Sequence, residues 1–215
     1  MIQGVIFDLD GVLVSTDELH YQAWKKLAGE LGITGFNRED NKRQRGVSRM
    51  ASLEIVLEKS GKTYTDEEKA ELADRKNEYY KAMLSGLSEK DVLPGAKETL
   101  EILRGKGVLT AVGSASKNAP LILEKIGLLP LLDKISCGLD VTKSKPDPEV
   151  FLVAAKKLGL NPSVCLVVED AAAGIQAAAA GGMKSLAVGP LYETLGGTYQ
   201  ARDLSYVKDW EEILK

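Results

Sequence analysis

The chain has 215 residues, 31 Asp or Glu against 28 Lys or Arg, a formal net charge of −3, and 44% hydrophobic residues. At about 150 residues per domain, this is one α/β domain with an insertion or two small domains, with enough apolar residues for a buried core. The slightly acidic balance argues against a sequence-independent nucleic-acid binder, whose affinity comes from clustered Lys and Arg, and no run approaches the roughly 18 apolar residues of a membrane-spanning helix.

The N-terminal MIQGVIFDLDG has no basic leader and its apolar run is cut by Asp8, so no secretory signal is expected. Gly4 to Asp8 reads as a strand, with consecutive apolar residues as in a parallel sheet covered on both faces. About a hundred residues separate it from the next such run, far more than one crossover helix uses. Within them, Asp17 to Leu31, Ser48 to Lys59 and Thr65 to Leu84 have helical periodicity, as in Leu19, Trp24 and Leu27 or Leu53, Val56 and Leu57. Val14 to Thr16 and Ser85 to Val92 are short polar connections of the kind that hinge. Residues 16–87 are therefore expected to form a helical cap inserted into a core of residues 1–15 and 88–215.

After the insertion, helix-like and strand-like stretches alternate. Ala96 to Lys106, Pro120 to Ile126, Pro148 to Leu158 and Ala172 to Ala180 read as helices, and Val108 to Ser114, Val164 to Asp170 and Lys184 to Gly189 as strands. This order predicts an α/β core with a doubly wound parallel sheet. Polar residues collect just after the strands, at Asp8 to Asp10, Ser114 to Asn118 and Glu169 to Asp170. That is the carboxyl edge, where such sheets bind ligands. Cys137 and Cys165 sit in apolar runs that suit buried free thiols, and a reducing, cytoplasmic address is the expectation. A single His, His20, and no Cys/His cluster argue against zinc, so a metal would need oxygen ligands.

FDLDGVL puts Asp8 and Asp10 where a buried strand meets a glycine turn. Carboxylates there need a metal, a cation or hydrogen bonds to offset their desolvation. Taken one at a time, these acids could cap a loop, Glu169 and Asp170 could start a helix, and Ser114 and Lys145 could be ordinary turn and surface residues. Together, in this order, they form a pattern. FDLDGVL, Ser114 in AVGSAS, Lys145 in SKPDPE, and Glu169 with Asp170 in VVEDAAAGIQ resemble the four motifs of the haloacid dehalogenase superfamily of phosphotransferases. The resemblance implies a Rossmann-like core and a catalytic set of Asp8, Asp10, Ser114 and Lys145. Asp8 would be the nucleophile that forms an acyl phosphate, and Asp10 the general acid and base. Mg²⁺ would be held by Asp8, the main-chain carbonyl of Asp10 and Asp170, with Glu169 reaching the same site. Ser114 and Lys145 would hold the transferring phosphoryl oxygens.

Thr16, His20 and Trp24 are spaced by four and share one face of the first cap helix. Gly46, Val47, Ser48 and Arg49 form a small-residue turn that opens a helix and carries a guanidinium. Ala115, Ser116, Lys117 and Asn118 follow the second motif and add hydroxyl, ammonium and amide donors, for which a second phosphate is the economical ligand. With Lys76, this combination resembles the β-phosphoglucomutase family over essentially the full length. That resemblance implies conversion of β-glucose 1-phosphate to glucose 6-phosphate, with β-glucose 1,6-bisphosphate as the phosphoryl donor. It assigns Thr16, His20, Trp24 and Lys76 to the sugar and the network around Asp10. Gly46 to Arg49 and Ala115 to Asn118 would take the non-transferring phosphate. Gln44 and Arg45 stand where the family is expected to carry Leu and Lys, which keeps the charge and alters a wall of the sugar pocket. The alternative is a Mg²⁺-dependent phosphatase of the same superfamily acting on a small sugar phosphate. The expected partner is a sugar phosphate, with no nucleic acid and no membrane, and the expected state is a monomer.

Overall fold

The structure is a computed structural model that describes residues 1–215. The chain divides into two compact units, Met1–Ser15 with Ser88–Lys215, and Thr16–Leu87. It enters the first through β1 (Gly4–Phe7), whose four residues are all buried.

The second unit is helical: α1 (Asp17–Glu30), α2 (Arg38–Arg43), α3 (Arg49–Leu57) and α4 (Asp66–Leu84). Tyr21, Trp24, Leu27 and Ala28 of α1 and Leu72, Ala73 and Tyr80 of α4 fall on the buried faces, and α1 packs chiefly on α4. Leu53, Val56 and Leu57 of α3 complete its apolar cluster with Ile33 and Phe36. Ser48 caps α3 by accepting the Ala51 N–H, and Thr65 caps α4 in a reciprocal box with Glu68. The polar helix α2 lay outside the sequence reading because REDNKR has no apolar period. Its start is set instead by a capping box between Asn37 and Asp40.

The first unit continues through α5 (Ala96–Gly105), β2 (Leu109–Gly113), α6 (Ala119–Lys125), β3 (Lys134–Ser136), α7 (Glu149–Leu158), β4 (Cys165–Glu169), α8 (Ala172–Ala180), β5 (Lys184–Ala187), β6 (Tyr199–Gln200) and α9 (Trp210–Ile213). The six strands form one parallel sheet in the order β3-β2-β1-β4-β5-β6. Every stretch read from the sequence as strand or helix is one, with ends moved by one or two residues. The strands β3 and β6 were not foreseen because three and two residues carry no measurable alternation. Both cysteines are buried and free; Cys165 opens β4, whereas Cys137 follows β3 rather than lying in it.

From β1 the sheet grows one way to β2 and β3 and the other way to β4, β5 and β6, so its switch point lies between β1 and β4. Phe7 pairs with Val112 of β2 and Val168 of β4. The next residues, Asp8, Gly113 and Glu169, are therefore level at the carboxyl edge. No helix is long and apolar enough to cross a membrane.

Candidate active site

Asp8 leaves β1 with its N–H still on the Val168 carbonyl, 2.9 Å away, so the sheet fixes its backbone. Lys145, from the loop between β3 and α7, brings Nζ to 2.6 Å from Asp8 Oδ1 and 2.5 Å from Glu169 Oε1. Glu169 Oε2 accepts the Ala171 N–H at 2.8 Å, so this carboxylate ends a strand, ties down the following helix and pairs with the lysine at once. Oxygens of Asp8, Glu169 and Asp170 lie within 4.8 Å of one another. Asp10 lies in the turn that follows, where the Gly11 N–H reaches the Val14 carbonyl and Asp10 bridges to Val14.

The electrostatics follow from burial. Desolvation works against the Lys145 ammonium, but Asp8 and Glu169 outweigh it and hold the lysine charged beyond its ordinary value. Burial raises the Glu169 carboxyl, with Lys145 opposing. Burial, then Glu169 and Asp8, push Asp170 up to about 8. One ammonium thus faces more carboxylate charge than it can neutralise. Three convergent carboxylates with a negative surplus fit a hard divalent cation with oxygen ligands. Asp8, Glu169 and Asp170 would hold Mg²⁺ there.

Three residues of this centre were not singled out in the sequence. A Cβ on Gly11 would overlap the Asp170 carboxylate, and one on Gly174 would overlap that of Glu169. Phe151 of α7 lies under Lys145, with its ring centroid 4.7 Å from Nζ. Gly11 was visible as the motif's turn residue and has a φ of 82°; nothing in a run of alanines marks Gly174.

The second motif forms a chain of short turns. The Ser114 N–H donates to the Ser136 carbonyl at 3.0 Å, and Ser114 Oγ accepts the Ser116 N–H at 3.1 Å. Ser116 Oγ in turn accepts the Asn118 N–H at 3.2 Å. Ala115 passes against Gly138, where a Cβ would strike the Ala115 carbonyl. Lys117 is exposed, while Asn118 is buried as the residue before α6.

In the helical unit, Lys76 is buried, with Nζ 2.7 Å from His20 Nδ1, 4.6 Å from the Trp24 ring centroid and 4.8 Å from that of Tyr80. His20 stacks on Tyr80 at 4.0 Å, and the Tyr80 hydroxyl is 2.8 Å from Thr16 Oγ1. Thr16, His20, Trp24 and Lys76 are therefore brought together as one cluster, with Trp24 set in the apolar core of the unit. Tyr80 is a member that the sequence reading missed, although its spacing of four from Lys76 places it on the same face of α4. Arg49 opens α3 after Gly46, Val47 and Ser48; its Nη1 is 3.4 Å from Asp74 Oδ1, and burial lowers its pKa against the pull of Asp74 and Glu78. Gln44 is buried, its Nε2 on the Ser52 carbonyl and its Oε1 without a partner.

A family model of the haloacid dehalogenase-like hydrolases matches residues 2–182. The chain belongs to that family. It is 38% identical to the β-phosphoglucomutase of Bacillus subtilis over 98% of this chain and 96% of that protein. A crystal structure of β-phosphoglucomutase from Clostridium difficile superposes with a TM-score of 0.92 at 36% identity, covering 99% of this chain and 96% of that one. The fructose-1-phosphate phosphatase of Escherichia coli is 30% identical over 86% of this chain and 95% of that protein. The chain is thus an enzyme of the haloacid dehalogenase superfamily, and the parallel sheet, its switch point and the flanking helices are that superfamily's fold.

Proposed function

We propose that the protein is a β-phosphoglucomutase that interconverts β-glucose 1-phosphate and glucose 6-phosphate. The observation that carries this reading is the likeness to the B. subtilis enzyme over nearly the whole of both chains, helical insertion included. In the proposed reaction an oxygen of Asp8 attacks the phosphorus of β-glucose 1,6-bisphosphate. The bond from phosphorus to the sugar oxygen breaks, and Asp10 delivers a proton to that oxygen. In the return step Asp10 takes the proton from the 6-hydroxyl of β-glucose 1-phosphate as that oxygen attacks the aspartyl phosphate. Lys145, already held on Asp8, would offset charge on the transferring oxygens, with Ser114 beside it. Mg²⁺ on Asp8, Asp170, Glu169 and the Asp10 carbonyl would supply further neutralisation of that charge. Arg49 with Gly46 to Ser48, and Ala115 to Asn118, would take the other phosphate. Thr16, His20, Trp24 and Lys76 would bind the sugar. We place the enzyme in the cytoplasm as a monomer whose partner is the sugar phosphate.

The likeness to a fructose-1-phosphate phosphatase supports a second reading, in which water attacks the aspartyl phosphate. Product analysis separates the two. Incubation with β-glucose 1-phosphate, Mg²⁺ and a trace of β-glucose 1,6-bisphosphate should give glucose 6-phosphate with little free phosphate, and Asp8→Asn should lower that rate on the order of 10³-fold or more. Stoichiometric release of glucose and phosphate would establish the phosphatase instead.

A further inference from the structure

We propose that Phe151 is a positioning residue for Lys145, its ring fixing the ammonium between Asp8 and Glu169 so that the remaining N–H stays turned to a transferring phosphoryl oxygen. The proposal rests on the reading of this site as a phosphoryl-transfer centre. Lysine is a compact charge on a flexible four-carbon stem with three rotatable donors. Two of these have partners here, Asp8 Oδ1 and Glu169 Oε1. Asp170 stands beside them as a third attractor of like sign. Carboxylates alone therefore leave the ammonium free to slide among them. The Phe151 ring, 4.7 Å from Nζ to its centroid, attracts the cation through its negative face without accepting a hydrogen bond that the substrate needs.

The ring is itself held. Phe151 is fully buried in the cluster of Ile6, Ala111, Val150 and Ala154, and its N–H, in the first turn of α7, bonds the Pro148 carbonyl at 3.0 Å. On β2, Gly113 makes room for it. A Cβ there would lie 2.6 Å from Phe151 Cδ1 and 2.9 Å from Cε1. Gly113 is not among the glycines with positive φ, so close approach, not backbone conformation, accounts for the missing side chain. The residue before Ser114 thus acts on Lys145 through the ring.

The test replaces Phe151 site-specifically with mono-, di- and trifluorophenylalanine, which keep the shape while draining the face of the ring, and compares Phe151→Leu. Acetyl phosphate is the donor, because its transfer to Asp8 needs neither the sugar nor a choice of acceptor. Turnover should fall stepwise with fluorine content, reaching about tenfold at the trifluoro variant, while the thermal midpoint stays put. Gly113→Ala, whose Cβ would displace the ring from its present place, should also slow transfer. A flat fluorine series, or loss confined to Phe151→Leu and accompanied by melting, would make the ring core packing only and overturn the inference. Proton NMR supplies a readout independent of activity. The ε-methylene protons of Lys145 should be shifted upfield by the ring in the wild type and lose that shift in Phe151→Leu. If the wild type consumes neither acetyl phosphate nor β-glucose 1-phosphate, the functional reading fails and this shift still decides the contact; its absence overturns the inference.

Discussion

His20 is the chain's one histidine, so its ring resonances need no assignment by mutation. An ammonium has only donors, so Lys76 Nζ at 2.7 Å makes Nδ1 an acceptor, and the neutral ring carries its proton on Nε2. Burial, then Lys76 from α4 and Arg49 from α3, depress its pKa well below 6.5. His20 is therefore neutral at neutral pH with Nε2 as its N–H donor, which agrees with the proposal that Asp10 and not His20 moves the proton. The unfolded chain takes up the proton first as pH falls below about 6.5, so folding stability drops from there toward the depressed folded pKa; above 6.5 the group contributes no slope. Nitrogen NMR should show the Nε2–H tautomer at pH 7 and a midpoint well under 6.5, and Lys76→Met should move the midpoint upward. A wild-type midpoint at or above 6.5 would refute the assignment.

At the scale of elements, glycine in a helix normally costs about 1 kcal/mol relative to alanine. Gly29 in α1 obeys that rule, because a Cβ there meets nothing within 4 Å, and Gly29→Ala should stabilise the protein by about that amount. Gly174 in α8 should do the opposite. Its Cβ would overlap the Glu169 carboxylate, so Gly174→Ala should destabilise by about 1–3 kcal/mol, pull Glu169 off Lys145 and cut activity sharply. Thermal unfolding of the two variants side by side checks the contrast, and equal stabilisation would show that Glu169 yields without cost. The same contrast marks what the sequence makes legible. Strands such as Cys165–Glu169 and helices such as Glu149–Leu158 announce themselves through runs and periods of apolar residues, and Asp8, Lys145 and Glu169 through motifs at their ends. Gly174, Phe151 and Tyr80 were silent because their roles come from neighbours distant in sequence, and α2 because its cause is a capping box.

For the whole molecule, every strand and the Asp8–Lys145–Glu169 network lie outside residues 16–87, and each unit has an apolar cluster of its own. The two connections to the insertion also run side by side in the core. Val14 pairs antiparallel with Val92, and the Leu93 N–H donates to the Leu13 carbonyl at 2.9 Å. Antiparallel partners lie about 5 Å apart at Cα, a gap that a few Gly and Ser residues close. Replacing residues 16–87 by such a linker should therefore leave a core that unfolds in one cooperative step and still consumes acetyl phosphate in a Mg²⁺-dependent way. On the proposed function, transfer to β-glucose 1-phosphate should be lost, because Arg49, His20 and Lys76, the residues proposed to bind the sugar phosphate, leave with the insertion, and water becomes the acceptor. Circular dichroism and the ratio of glucose 6-phosphate to free phosphate read out both halves. An unfolded core would show that the sheet depends on the helical unit for stability, whereas retained mutase activity would place acceptor recognition wholly on Ser114 to Asn118 and their surroundings.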